Sequence, residues 1–132
     1  MSQEASATLE FEVADEDTAA RLGSGDLPVL GTPRLVAWCE ATTVAAISSR
    51  VGDQQTSVGS RVRIEHLSAS PVGERVSVTA RVVYAEDRLL RFEVVARRVD
   101  AADDEKLLAH GEVTRVIVDR DRFLARLSRP SE

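Results

Sequence analysis

The 132-residue chain is long enough for one domain with its own core and no more. Hydrophobic residues make up 43% of it but aromatics only 4%, so Val, Leu, Ala and Ile must build that core. A net charge of −5 argues against a non-specific nucleic-acid binder, and the single cysteine, Cys39, excludes an internal disulfide or a cysteine-rich metal site.

The N-terminus, Met1 to Ser6, lacks the basic region and apolar run of a secretory signal. No stretch approaches the roughly 20 apolar residues that span a bilayer. A cytoplasmic protein without a membrane partner is expected, with residues 1–6 and 128–132 flexible at the ends of a single domain. Ala7 to Val13 alternates, with Leu9, Phe11 and Val13 set against Glu10 and Glu12, and reads as a first strand. Asp15 to Leu22 has room for one or two helical turns before Gly23-Ser24-Gly25-Asp26 and Pro28 interrupt it.

The longest helix is expected from Thr32, with Thr32 as its N-cap and Pro33 in its first turn. Leu35, Val36, Cys39, Thr43, Ala46 and Ile47 recur at helical spacing, and Gly52 suits a left-handed cap at its end. Four strand-like runs follow. Thr56 to Leu67 places Val58, Val62, Ile64 and His66 on one face by simple alternation. Arg75 to Tyr84, Leu89 to Val99 and Leu107 to Val118 continue the pattern. Turn signals separate them at Ser70-Pro71-Val72-Gly73, Ala85-Glu86-Asp87-Arg88 and Asp100 to Asp104. Asp119 to Leu127 suits a short terminal helix. The order predicts an α+β fold: one long helix against a five-stranded antiparallel sheet.

Glu40 lies at the edge of the helical stripe beside Val36, Val44 and Ile47. It either swings to solvent, pairs with an arginine, or aims a carboxylate into a pocket to activate water or attack a carbonyl. His66 ends a strand face, as a satisfied edge residue or as a proton carrier near neutrality. Thr32 is explained by capping alone, and on a continuous helix it stands about 12 Å from Glu40 along the axis. A shared site then requires Thr32 to bend away, or a second chain to contribute one of them. Gly59 either permits a bulge or offers a backbone N–H to an oxyanion, and the helix start at Pro33-Arg34-Leu35 is another source of donors. Cys39 in mid-stripe reads as a small hydrophobe. His110 and His66 are too far apart in sequence to form a metal motif, and no cofactor is expected. Arg61, Arg63, Arg97 and Arg98 read as solvated outer faces, with contact to a phosphate-bearing ligand the lesser alternative.

Gly31-Thr32 before the helix, Glu40 eight residues on, Val58-Gly59 opening a strand and Glu65-His66 closing it together resemble the fluoroacetyl-CoA-specific thioesterase family of the hotdog fold. Pro71-Val72-Gly73 and Thr114-Arg115-Val116-Ile117-Val118 fit as well, and the resemblance runs from about Val29 to Phe123. It implies hydrolysis of acyl-CoA thioesters by a catalytic set falling on Thr32, Glu40 and His66. Val58, Gly59 and Pro33 would then lie at the substrate, in a homodimer with its sites at the subunit interface. The enzyme that gives the family its name carries a lid of bulky aromatics before the helix. Here Ala14 to Leu30 has none, which argues against fluoroacetyl specificity and leaves the acyl group open. A hotdog hydratase is disfavoured because the helix offers no histidine with Glu40. An acyl-CoA sensor domain would keep the pocket without turnover.

Overall fold

The structure, a computed structural model, describes residues 5–101 and 106–128. Its strands are β1 (Ser6–Glu12), β2 (Gln55–His66), β3 (Arg75–Glu86), β4 (Leu89–Arg98) and β5 (Leu107–Asp119). Its helices are α1 (Ala19–Leu22), α2 (Thr32–Ala46) and α3 (Arg120–Leu127). The strands form one antiparallel sheet in the order β1-β3-β4-β5-β2, so β1 and β2 are its edges. The architecture is the expected α+β one, with the sheet packed on α2. Part of the turn expected over Asp100 to Asp104, and the tail beyond Ser128, fall outside the described residues.

The core follows from alternation. Val76, Val78 and Ala80 of β3, Phe92, Val94 and Ala96 of β4, and Leu108 and Val113 of β5 are buried against Leu35, Cys39 and Ala46 of α2. Phe11 of β1 stacks on Trp38 of α2 with ring centroids 4.6 Å apart, a contact of about 0.5–1.5 kcal/mol beyond its burial. Trp38 and Thr42 join the buried stripe, whereas Val36 is only half-buried. The buried Thr42 hydroxyl is satisfied by donating to the Trp38 carbonyl at 2.8 Å.

Several local expectations are corrected. Ser6 already pairs with Arg81, so β1 begins one residue earlier than expected. The helical stretch at Asp15–Leu22 is split into a 3₁₀ turn at Asp15–Asp17 and α1, because Thr18 is extended between them and bridges to Leu30. The α2 N-cap is Gly31 rather than Thr32, and no side chain caps that end. Thr32 is the first helical residue, which leaves its hydroxyl available. The helix also stops at Ala46, earlier than expected, and a 3₁₀ turn at Ser48–Arg50 follows. Gly52 is not left-handed. Its N–H is instead taken by the Gln55 side chain at 3.0 Å.

Strand β2 carries the correction with the largest consequence. Gly59 pairs with Arg115 and Arg61 with Thr114, so Ser60 has no cross-strand partner and forms a bulge. The bulge shifts the alternation by one residue. Gly59 lies opposite Arg115, Val62 opposite the buried Val113, and His66 opposite the buried Ala109. Cross-strand partners share a face, so Gly59, Val62, Ile64 and His66 face α2, while Val58, opposite Val116, faces the other way.

Candidate active site

Thr32 and His66 meet where α2 begins and β2 ends. The Thr32 hydroxyl lies 2.8 Å from His66 Nδ1. When the ring proton sits on Nε2, Thr32 donates to the Nδ1 lone pair, the geometry of a hydroxyl beside its base. His66 Nε2 is enclosed and has no partner at hydrogen-bonding geometry. Burial pushes the imidazole below its ordinary value, and the backbone of Ser68 offsets this only in part. The neutral ring is therefore favoured, as a proton acceptor requires.

A pocket of about 310 Å³ opens beside this pair. Its apolar wall comes from Ala19, Val29, Leu30 and Leu67, with Ser68 and Ala69 at the rim. The strap before α2 is held in place by Asp17. One Asp17 oxygen accepts from the Ala14 N–H at 2.8 Å and the other lies 2.9 Å from Arg34 Nε. Val29 also bridges to Pro71, joining the strap to the loop after β2.

Glu40 stands elsewhere in the chain. Because α2 runs unbroken from Thr32, Glu40 is two turns on, about 12 Å along the axis. Its Oε2 packs over Gly59, at a point where any β-carbon would collide with it. The same oxygen is 3.4 Å from Arg115 Nη1. Arg115 is nearly enclosed: its side chain is 8% exposed, against 36% for Glu40. It donates from Nε to Ser57 Oγ at 2.8 Å and from Nη2 to the Ser57 carbonyl at 3.2 Å. Burial lowers the Arg115 pKa, and the Glu40 charge works against that shift. Three hydrogen bonds satisfy a guanidinium that would otherwise be costly to enclose.

One chain thus holds two separate clusters, Thr32 with His66 and Glu40 with Gly59 and Arg115. Gly59 and His66 lie roughly 20 Å apart along β2. The expected set of Thr32, Glu40 and His66 is not gathered within a single chain. Val58 faces the opposite side of the sheet from Gly59, and Pro33 is exposed and does not line the pocket. The α2 start offers few oxyanion donors, since Pro33 has no N–H and those of Arg34 and Leu35 both donate to the Gly31 carbonyl. Cys39 is buried, and burial next to Glu40 pushes its thiol up to about 12, which makes it inert as a nucleophile.

The sequence reading missed Arg115, although a signal was present: it shares the inward parity of Val113 and Ile117 on β5. It also misplaced Arg98, which is no solvated outer residue. The Arg98 side chain is 17% exposed, pairs with Glu74 at 3.2 Å, and donates to Ser68 Oγ at 2.9 Å and the Ala69 carbonyl at 2.7 Å. It ties down the loop that follows His66 and rims the pocket.

Comparisons with known proteins bear on the family and the fold. The sequence profile of the fluoroacetyl-CoA-specific thioesterase family, FlK, matches residues 13–121. Among solved structures, the fluoroacetyl-CoA thioesterase FlK superimposes with a TM-score of 0.85 at 24% identity, covering 100% of this chain and 98% of that one. A FlK variant solved with acetyl-CoA gives a TM-score of 0.86 at 22% identity, with 97% of each chain covered. A thioesterase superfamily member from Thermus thermophilus gives 0.83 at 26% identity, covering 94% of this chain and 88% of the other. Comparison with curated proteins finds no match. Given the family match over most of its length and the hotdog arrangement of its sheet and helix, the chain belongs to the fluoroacetyl-CoA-specific thioesterase family, hotdog-fold hydrolases of acyl-CoA thioesters.

Proposed function

We propose that the protein hydrolyses CoA thioesters of small or medium aliphatic acyl groups in the cytoplasm, as a homodimer in which Glu40 of one chain completes the Thr32–His66 half-site of the other. The observation that carries this reading is the separation of the two half-sites along β2, a strand whose outer edge is unpaired. A two-fold axis near Val62 and Arg63 would pair β2 antiparallel with its copy, the self-complementary contact of a symmetric dimer. Such pairing lays Gly59 opposite the partner's His66. Val62, on the face toward α2 but 39% exposed, and Val44, 47% exposed on α2, supply apolar surface for a second copy to cover.

In the composite site, the Thr32 hydroxyl donates a hydrogen bond to His66 Nδ1 and accepts a hydrogen bond from a water, which positions that water. Glu40, one oxygen held by Arg115, takes the other proton as general base. The resulting hydroxide adds to the thioester carbon, the C–S bond breaks, and CoA leaves as a thiolate that needs little acid assistance. The Gly59 backbone polarises the carbonyl. The pocket beside Thr32 is aliphatic and its strap carries no aromatic residue, which supports a plain acyl group over fluoroacetyl.

Thiol release from short, branched, aromatic and long acyl-CoAs tests the substrate. Mixing two inactive variants, Glu40→Ala and His66→Ala, tests the composite site. Random exchange makes half the dimers mixed, each with one intact site, so about a quarter of wild-type activity should return. No recovery, with exchange verified, would place all three residues in one chain's site. Esters that bind without any thiol release would overturn the hydrolytic reading in favour of a binding domain.

A further inference from the structure

Asp17, in the strap between β1 and α2, grips the start of α2 on both sides of Thr32. Its backbone carbonyl accepts from the N–H of Gly31, one residue before Thr32, at 2.9 Å. Its Oδ1 lies 2.9 Å from Nε of Arg34, two residues after Thr32. We propose that Asp17, acting through Gly31 and Arg34, is a positioning residue that sets the Thr32 hydroxyl at its working distance from His66. The inference rests on the thioesterase reading of that pair and adds a residue to it.

Local structure accounts for only part of what Asp17 does. Its Oδ2 accepts from the Ala14 N–H at 2.8 Å, and its own N–H donates to the Ala14 carbonyl at 2.9 Å, which closes the 3₁₀ turn. That turn needs neither Oδ1 nor the peptide carbonyl, and both are directed at α2. The Asp17 side chain is 10% exposed and that of Arg34 35%. The Arg34 Nε is shut off from water and meets Oδ1 off the line of a regular hydrogen bond, so the contact is one of charge. An enclosed pair of this kind is screened far less than one in solvent. The neighbouring Arg21–Asp15 pair of the same strap is open to water on both sides.

No side chain caps α2 and Pro33 has no N–H, so the clasp supplies polar anchorage that the helix start otherwise lacks. Asp17 is fixed from behind in turn. Its partner Ala14 follows Val13, whose N–H donates to the Glu74 carbonyl at 2.9 Å and whose carbonyl accepts from the Gly73 N–H at 2.8 Å. The Glu74 carboxylate pairs with Arg98 at 3.2 Å, and Arg98 holds the Ser68–Ala69 turn just after His66. The supports of Thr32 and of His66 thus meet at Glu74, and the 2.8 Å contact between the two side chains closes a ring of fixed pieces. A misplacement of about 1 Å at a reacting group costs on the order of a hundredfold in rate, so slack on the Thr32 side of this ring reaches kcat.

The test is steady-state hydrolysis of the best acyl-CoA by clasp variants, made both in the wild type and in a Thr32→Val background. Asp17→Asn keeps an acceptor for Ala14 and removes the charge facing Arg34. Arg34→Met cuts the same contact from its more exposed side and decides the matter where Asp17→Asn does not fold. Each should lower kcat about tenfold with a smaller change in KM, and the double variant should fall no further than either alone. With Thr32 already replaced by valine, neither should lower the residual rate again, because the clasp acts through the hydroxyl. Arg21→Met, which removes the exposed pair with Asp15, should turn over as the wild type does. A loss confined to KM, an equal loss in Arg21→Met, or the same fractional loss with and without Thr32 would each overturn the assignment while leaving the Thr32–His66 pair in place. Full activity in Thr32→Val alone would instead sink the reading of the pair, and the role of the clasp with it.

Discussion

Thr32 and His66, 34 positions apart in the chain, are joined by a 2.8 Å contact between Oγ1 and Nδ1 that exists because Gly31, and not Thr32, caps α2. A threonine used as a cap would have turned its oxygen back to the helix amides. Thr32→Ser should therefore keep most activity, whereas Thr32→Val and His66→Ala should each lower kcat by about a hundredfold or more. Circular dichroism should show both variants folded. Full activity in His66→Ala would remove the histidine from the mechanism.

The half-buried ring makes a prediction about pH. The folded pKa of His66 is depressed below 6.5, so the neutral, proton-accepting form persists into mildly acidic solution. The acid limb of kcat/KM should bend below pH 6.5 and be absent in any residual activity of His66→Gln. The same shift acts on stability. The unfolded chain takes up the proton first, so this contribution is complete above the unfolded value and is lost as pH falls through the folded one. Chemical denaturation from pH 7 to 5 should show a shallower loss in His66→Gln. An acid limb centred above 6.5 would contradict the burial argument.

Two glycines separate a packing role from a site role. At Gly59 an added β-carbon meets the end of the flexible Glu40 side chain, which can swing away. Gly59→Ala should fold with a near-normal melting temperature but lose activity. At Gly111 the added carbon meets the backbone of Arg63 and Ile64 in the neighbouring strand, which cannot move without breaking the β2–β5 ladder. Gly111→Ala should be recovered poorly or melt far below the wild type. Similar melting curves for the two variants would show that the sheet yields more easily than this packing implies.

Arg115 links Glu40 to Ser57 through a planar fork that lysine cannot reproduce. Arg115→Lys should lower kcat, and Arg115→Ala should also destabilise the fold by about 1–3 kcal/mol by leaving buried partners unmatched. Denaturant melts and thiol-release kinetics read the two effects separately. An Arg115→Lys variant with wild-type kinetics would show that charge alone suffices.

Arg98 holds the Ser68–Ala69 turn from the far side of the pocket. Arg98→Lys should raise KM several-fold with a smaller change in kcat, since the loop rims the pocket rather than touching the reacting bond. Steady-state kinetics on the preferred ester would decide it, and a change confined to kcat would refute the positioning role.

Much of this was legible in the sequence, for identifiable reasons. Alternation in Arg75–Tyr84 and Leu89–Val99 marks strands because each buries one face against α2, and the spacing of Leu35, Cys39 and Ala46 marks the helix that they meet. The pairing of Thr32 with His66 and of Glu40 with Gly59 was not legible, since both depend on where α2 crosses the sheet. Arg115 and Arg98 went unrecognised because a charged residue in a strand reads as solvent-facing until its neighbours' parity is checked. Val58 was placed on the wrong face because counting by twos assumes an uninterrupted strand.

That interruption bears on how such sites can be found and altered. Gly59 and His66 are seven positions apart, an odd number that a regular strand would send to opposite sides. The unpaired Ser60 resets the phase, so the strand behaves as two short rulers joined at one loose mark. A search template that demands even spacing would pass over this chain. Exchanging Ser60 for another residue keeps both rulers aligned, but deleting it would turn either the glycine or the histidine away from the helix while every other residue of the site remained in place.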